Sequence, residues 1–245
     1  MELGEIIKDA IAYPTSNIKA LALYLVLGII IGIIQVVTGT TSLTKGSLTF
    51  SAGTAVGIIG LILIICISFL MLGFSLDVIK FGIDRRSDAP GIDLARQISN
   101  GLRYFLLCFI YLLIPIIILG VFWTMFQNWL VVILGVVLAI VFAFALMMSI
   151  CRLAKTDSLG ESLDLGVALD DLHEIGVGKV VITLIVATIV GMVIVFLLSF
   201  ILGLILSAAP GDVVTAVVSI VTAILDAWLL FYENRIMGLL YSHVA

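Results

Sequence analysis

Charge is scarce in this chain and unevenly spread. No charged side chain lies between Lys45 and Asp77, between Arg103 and Arg152, or between Lys179 and Asp212. Runs of that length exclude a water-soluble core, because about 20 apolar residues already cross the ~30 Å hydrocarbon slab of a bilayer. Charged residues make up 11% of the chain and hydrophobic residues 63%, where a soluble domain carries roughly 25% charged. The sequence reads as a single integral membrane domain over residues 1–245. Its net charge of -4 says little by itself, since position relative to the bilayer decides what each charge does. A nucleic-acid partner is not expected.

Cysteine and histidine are equally sparse. Cys66, Cys108 and Cys151 are odd in number and fall within or at the end of apolar runs, which excludes a disulfide framework and leaves them as small packing residues. His173 and His243 have no second ligand in a metal spacing. Gly176-Val177-Gly178-Lys179 is only a fragment of a phosphate loop, with no Ser or Thr after the lysine; it is expected to end one helix and begin the next. No run carries paired carboxylates, a Ser-Lys or Ser-His dyad, or a histidine cluster. Neither an enzymatic activity nor a cofactor is expected, and no catalytic or metal residue is assigned. The opening Met1-Glu2-Leu3-Gly4-Glu5 is acidic where a secretory signal is basic, so the first apolar run is expected to stay as an anchor.

What is present fits an all-α polytopic protein. Six transmembrane helices are predicted over residues 17–39, 54–79, 101–126, 129–154, 178–207 and 213–232, paired as three hairpins. Gln127-Asn128, flanked by Trp123 and Trp129, is the expected turn between the third and fourth, and Ala209-Pro210-Gly211-Asp212 the turn between the fifth and sixth. Eleven of the twelve basic residues then fall on one side and only Lys45 on the other. The positive-inside bias places both termini in the cytoplasm of the cell (plasma) membrane. The only long outer loop, residues 40–53, is rich in Thr, Ser and Gly.

Each hairpin is preceded by an amphipathic pattern expected to lie at the cytoplasmic interface. Leu3, Ile6, Ile7, Ala10 and Ile11 stand opposite Glu2, Glu5, Lys8 and Asp9; Leu94, Ala95, Ile98 and Leu102 opposite Asp93, Arg96 and Gln97; and Leu165, Ala168, Leu169, Leu172 and Ile175 opposite Asp164, Asp171 and Glu174. The pattern suggests a threefold repeat over residues 1–80, 90–155 and 161–242. Membrane lipids are the expected partners, with a homo-oligomer or a membrane protein partner as the alternative.

Lipid offers no hydrophobic drive for helix association, so small residues should mark the contacts. Gly28, Gly32, Gly191 and Gly203 are the candidates for helix packing. Four polar residues form the candidate intramembrane site. Asp77, near a span end, is expected to pair with Lys80, Arg103 or Arg152. Glu233 lies at the interface beside Arg235. Asp226 is about 10 Å deeper at 1.5 Å per residue, a depth at which a carboxyl faces the bundle interior or a wet cavity. It either bonds a neighbouring helix or carries protons, ions or a head group. Tyr111 and Pro115 sit at i, i+4, where the proline removes a backbone hydrogen bond and should kink the helix.

The stretches Asp9-Ala10-Ile11-Ala12-Tyr13-Pro14 with Asn17, Ser99-Asn100-Gly101-Leu102 with Tyr111 and Pro115, and Tyr232-Glu233-Asn234-Arg235 with Gly238, Leu239 and Tyr241 resemble a family of archaeal multi-pass membrane proteins. That family is frequent in methanogens and described as a domain of unknown function. The resemblance implies six spans and no assigned activity. More distantly, the surface-helix-plus-hairpin plan is similar to the membrane domain attached to some glycerophosphodiester phosphodiesterases, without their catalytic domain. The resulting expectation is a non-enzymatic membrane protein that touches lipids or a membrane partner through cytoplasmic surface helices. The alternative is a small-solute, ion or lipid transporter using an intramembrane carboxylate.

Overall fold

The computed structural model describes residues 2–38, 43–44, 47–48, 54–207 and 210–244. Its helices are α1 (Leu3–Ser16), α2 (Ile18–Thr38), α3 (Thr54–Ile83), α4 (Leu94–Phe126), α5 (Trp129–Thr156), α6 (Leu159–Ser162), α7 (Leu165–Ile175), α8 (Val177–Leu206) and α9 (Gly211–Tyr241). A two-residue antiparallel pair, β1 (Leu43–Thr44) and β2 (Ser47–Leu48), is the described part of the long loop; the rest of that loop, Lys45 included, lies outside the described residues. The Ile- and Val-rich runs are helical although those residues favour strands in water, because in lipid every backbone polar group must be satisfied within its own segment.

Among the described residues five helices are long and apolar enough to cross a membrane: α2, α3, α4, α5 and α8. Their exposed residues are Ile, Val, Leu and Phe in nearly continuous bands, such as Ile182, Ile185, Ile189 and Phe196 on α8. So much exposed apolar surface needs hydrocarbon around it. The chain is a membrane protein with transmembrane helices. The last long helix, expected over residues 213–232 or a little beyond, runs as α9 from Gly211 to Tyr241 without a break.

Local turn chemistry falls where the residues suggested. Gln127 takes a left-handed conformation (φ 42°) at the end of α4, and the Asn128 side chain caps α5 by accepting from the Leu130 amide at 3.0 Å. Gly176, with φ 94°, separates α7 from α8. One expected element does not exist separately: the amphipathic stretch before the third span is the first two turns of α4. Polarity does not divide its faces: Gln97 and Asn100 are buried, while Leu94 and Leu102 are exposed along with Asp93 and Arg96. Asp77 draws the Gln97 amide inward.

Helix α1 does not lie on the surface by its apolar side. Ile6, Ile7 and Ala10 are buried in one cluster with Ile79, Ile236 and Leu239 from α3 and α9. Helix α7 likewise buries Ala168, Leu172 and Ile175 in that cluster, together with the acidic Asp171.

Burial is concentrated at the end of the bundle where α1 and α7 sit. In α8 no residue after Gly191 is buried, in α4 none after Pro115, and in α3 only Gly57 and Gly60 before Leu70. Three glycine contacts draw the helices together there. A Cβ on Gly101 would fall on the Phe69 carbonyl of α3, and one on Gly73 would fall on the Gln97 carbonyl of α4. Gly82 of α3 and Gly238 of α9 touch each other, a Gly82 Cβ standing 3.0 Å from the Gly238 Cα. Of the four glycines expected to pack, Gly191 alone has a neighbour among the described residues: its Cβ would stand 3.3 Å from a Leu229 methyl. Gly28, Gly32 and Gly203 meet nothing within 4 Å, because their faces point out of the bundle.

Candidate functional site

Four carboxylates meet cations at the compact end. Asp77 of α3, 3% exposed, takes both Arg96 nitrogens at 2.6 and 2.8 Å and the Gln97 amide at 2.7 Å. Its partner is therefore Arg96, and the expected Lys80, Arg103 and Arg152 are engaged elsewhere. Lys80 reaches Asp157 at 2.6 Å, beside the Asn100 amide at 3.3 Å, and Arg103 donates to the Asp157 carbonyl at 2.7 Å. Arg152 pairs with Asp171 at 3.1 Å, and the Tyr241 hydroxyl donates to the same carboxylate oxygen at 2.6 Å.

The fourth pair closes the molecule. Arg235 of α9 is 1% exposed. It grips Asp9 of α1 through Nε at 2.6 Å and Nη2 at 3.2 Å, and donates to the carbonyls of Phe81 and Arg86 at 3.1 and 2.6 Å. Its guanidinium also lies 4.4 Å over the Tyr13 ring, an arrangement that suits a desolvated Arg. Tyr13 donates to the Asp88 carbonyl at 3.2 Å and Asn17 to the Ser87 carbonyl at 3.0 Å, so α1 holds the connection between α3 and α4. Burial pushes the Tyr13 hydroxyl up to about 12, which keeps it a donor at neutral pH. In that connection a hydrogen bond from the Arg86 guanidinium holds the Asp88 carboxyl below its usual range. Near the C-terminus, Lys179 stands 2.8 Å from His243 Nε2, whose other ring nitrogen lies 3.1 Å from the Leu240 carbonyl. Burial first, and Lys179 second, lower the His243 pKa, which favours the neutral ring as acceptor.

With all four of these carboxylates accepting from cations or donors, the compact end is a lock. Its chemistry fits holding helices in register and does not fit proton transfer, which needs a poised, unpaired group. The residues behind the sequence resemblance converge here: Asp9, Tyr13, Asn17, Asn100, Gly101, Arg235, Gly238 and Tyr241 all take part. Sequence reasoning had no signal for Arg152–Asp171–Tyr241 or for Asp9–Arg235, which join segments 19 to 226 positions apart.

The four candidate site residues do not form one site. Asp77 belongs to the lock. Tyr111 is buried between α4 and α5, where its hydroxyl accepts from Ser149 at 2.6 Å and approaches the Ser162 carbonyl at 3.5 Å; α4 continues through Pro115 as one helix. Asp226 is exposed and makes no hydrogen bond or ion pair among the described residues. Its outward place follows from α9, whose inward face at that level is Ala227. Glu233 is exposed too, on the wall of a groove of about 650 Å³ between α5, α8 and α9; its neighbour Arg235 turns the other way, to Asp9. Among the described residues no cluster of His, Cys, Asp and Glu could hold a metal.

A family model described as a protein of unknown function (DUF4013) matches residues 56–203. No curated protein matches the chain, and no solved structure does.

Proposed function

The chain belongs to the DUF4013 family of proteins of unknown function, and from that premise we propose a non-enzymatic, six-span membrane protein of the archaeal type its motifs resemble. In this reading α9 is the sixth span, the long helices pair as three hairpins, both termini are cytoplasmic, and the protein sits in the cell membrane. It engages lipid head groups, or a membrane partner, through its cytoplasmic charged end.

One observation carries the reading. The lock uses Arg96, Lys80, Arg152 and Arg235 internally, and leaves Lys8, Lys19 and Lys155 exposed and without an acidic partner among the described residues. Unpaired lysines beside spans suit an anionic leaflet, worth about 1 kcal/mol each near the surface. The test has two arms. Single cysteines introduced in a cysteine-free variant should label with an impermeant thiol reagent in intact cells within residues 40–53, and should stay unlabelled beside Arg86 or Lys155. The purified chain should melt higher in anionic than in zwitterionic nanodiscs, and the Lys8→Gln, Lys19→Gln, Lys155→Gln variant should lose that difference. Labelling beside Arg86, or a difference that survives in the variant, refutes the reading.

A second reading, transport of a small solute, ion or lipid, draws on Asp226 and Glu233, two unpaired carboxyls seven positions apart on one face of α9. It predicts that Asp226→Asn keeps thermal stability and abolishes proton-coupled flux in liposomes.

A further inference from the structure

The groove between α5, α8 and α9 has the shape and charge of a site. Its α8 wall runs from Leu184 past Gly191 and Phe196 to Ser199, and its α9 wall includes Leu229 and Glu233. From Leu184 to Ser199 is 15 residues, about 22 Å of helix at 1.5 Å per residue, which is more than one leaflet of a ~30 Å hydrocarbon slab. The floor is closed by the Tyr232 hydroxyl, which donates to the Ala187 carbonyl at 3.1 Å.

Glu233 lines this groove on the half of α9 that leads into the lock, two positions before Arg235. Its carboxylate has no hydrogen bond or ion pair among the described residues, and Arg235 is occupied by Asp9 and two carbonyls. An unpaired carboxylate at a membrane boundary calls for a cation from outside the chain. The groove is long, apolar and about 650 Å³ in volume, with a single carboxylate on its wall. That volume suits one flexible chain with a small head.

We propose that this groove binds a single membrane lipid whose head group carries an ammonium, one acyl chain lying along α8 and the ammonium set against Glu233. The inference rests on the membrane-embedded reading above and adds the ligand class to it.

Native mass spectrometry of the full chain in detergent tests it, with phosphatidylethanolamine and phosphatidylglycerol of identical chains as probes. The wild type should retain one phosphatidylethanolamine about tenfold more tightly, the low end of a charge-assisted hydrogen bond. Glu233→Gln should bring the two lipids to parity with unchanged melting temperature. Ser199→Trp, which fills the groove, should release both. Equal retention by the wild type, an unchanged preference in Glu233→Gln, or a dimer that Glu233→Gln disrupts would each overturn the assignment. The cysteine labelling is independent of these readouts: if labelling stands and the lipid preference is absent, only the groove assignment falls.

Discussion

The two ends of helix α4 face different surroundings. Its first five turns press Gln97, Asn100, Gly101, Leu107 and Tyr111 into neighbours, while after Pro115 no side chain is buried. The same division holds for α8 and for most of α3. At the compact end, backbone approach and ion pairs hold the helices, interactions that lipid cannot supply. At the far end each helix is solvated by hydrocarbon as well as it would be by a neighbour, so nothing forces the helices together. Cohesion comes from polar and backbone contacts together with the apolar cluster at the compact end, and the remaining apolar surface is left for lipid.

If that division is right, the largest loss should come from the lock. Arg235→Ala leaves the Phe81 and Arg86 carbonyls without their donor, at about 1–3 kcal/mol for each buried group, while Asp9, 37% exposed, is rehydrated; the net cost should be about 2–4 kcal/mol. Detergent unfolding monitored by circular dichroism measures it, and a loss below 1 kcal/mol would show that the compact end coheres by other means. A paired substitution along one helix comes next. Gly101→Ala drives a methyl into the Phe69 carbonyl and should cost about 1–3 kcal/mol; Gly120→Ala, with nothing within 4 Å, should stay within about 0.5 kcal/mol. Equal effects would erase the contrast between the two ends.

The smallest effect is expected at the C-terminus. His243 has a pKa below its ordinary value in the folded chain, so the unfolded chain binds more protons through that window and stability rises with pH across it. Lowering the pH from about 7 through the ordinary value of 6.5 should progressively weaken the Lys179–His243 contact and speed hydrogen exchange in the last turn of α9. In His243→Gln that local pH dependence should vanish.

Much of the scaffold could be read from residues alone, and the reason is local. Apolar run length marks five spans, and Asn128, Gln127 and Gly176 mark turns through chemistry within two or three positions. The glycines show where local reading stops. Gly28 and Gly32 have the favoured spacing yet face outward, whereas Gly101 and Gly73 pack through partners on another helix. The same holds for polar residues: counting charges puts Asp77 near a span end, but only the helix pairing selects Arg96 over Lys80. For Asp226, residue counting gives a depth along the helix, whereas the direction of the side chain is set by how α9 packs.

The Asp9–Arg235 clasp has a consequence in time. Its two halves are 226 positions apart, and at synthesis rates of about 5–20 residues per second Asp9 waits roughly 10–45 s for its partner to be made. Throughout that interval α1 has no α9 to dock against, and the carbonyls of Phe81 and Arg86 await their donor. The early spans are therefore made before this clasp exists, and α9 fastens α1 only once it has been synthesised. Residues 56–203, the matched portion, include neither half of the clasp, so a fragment cut to that portion would be synthesised without the fastening.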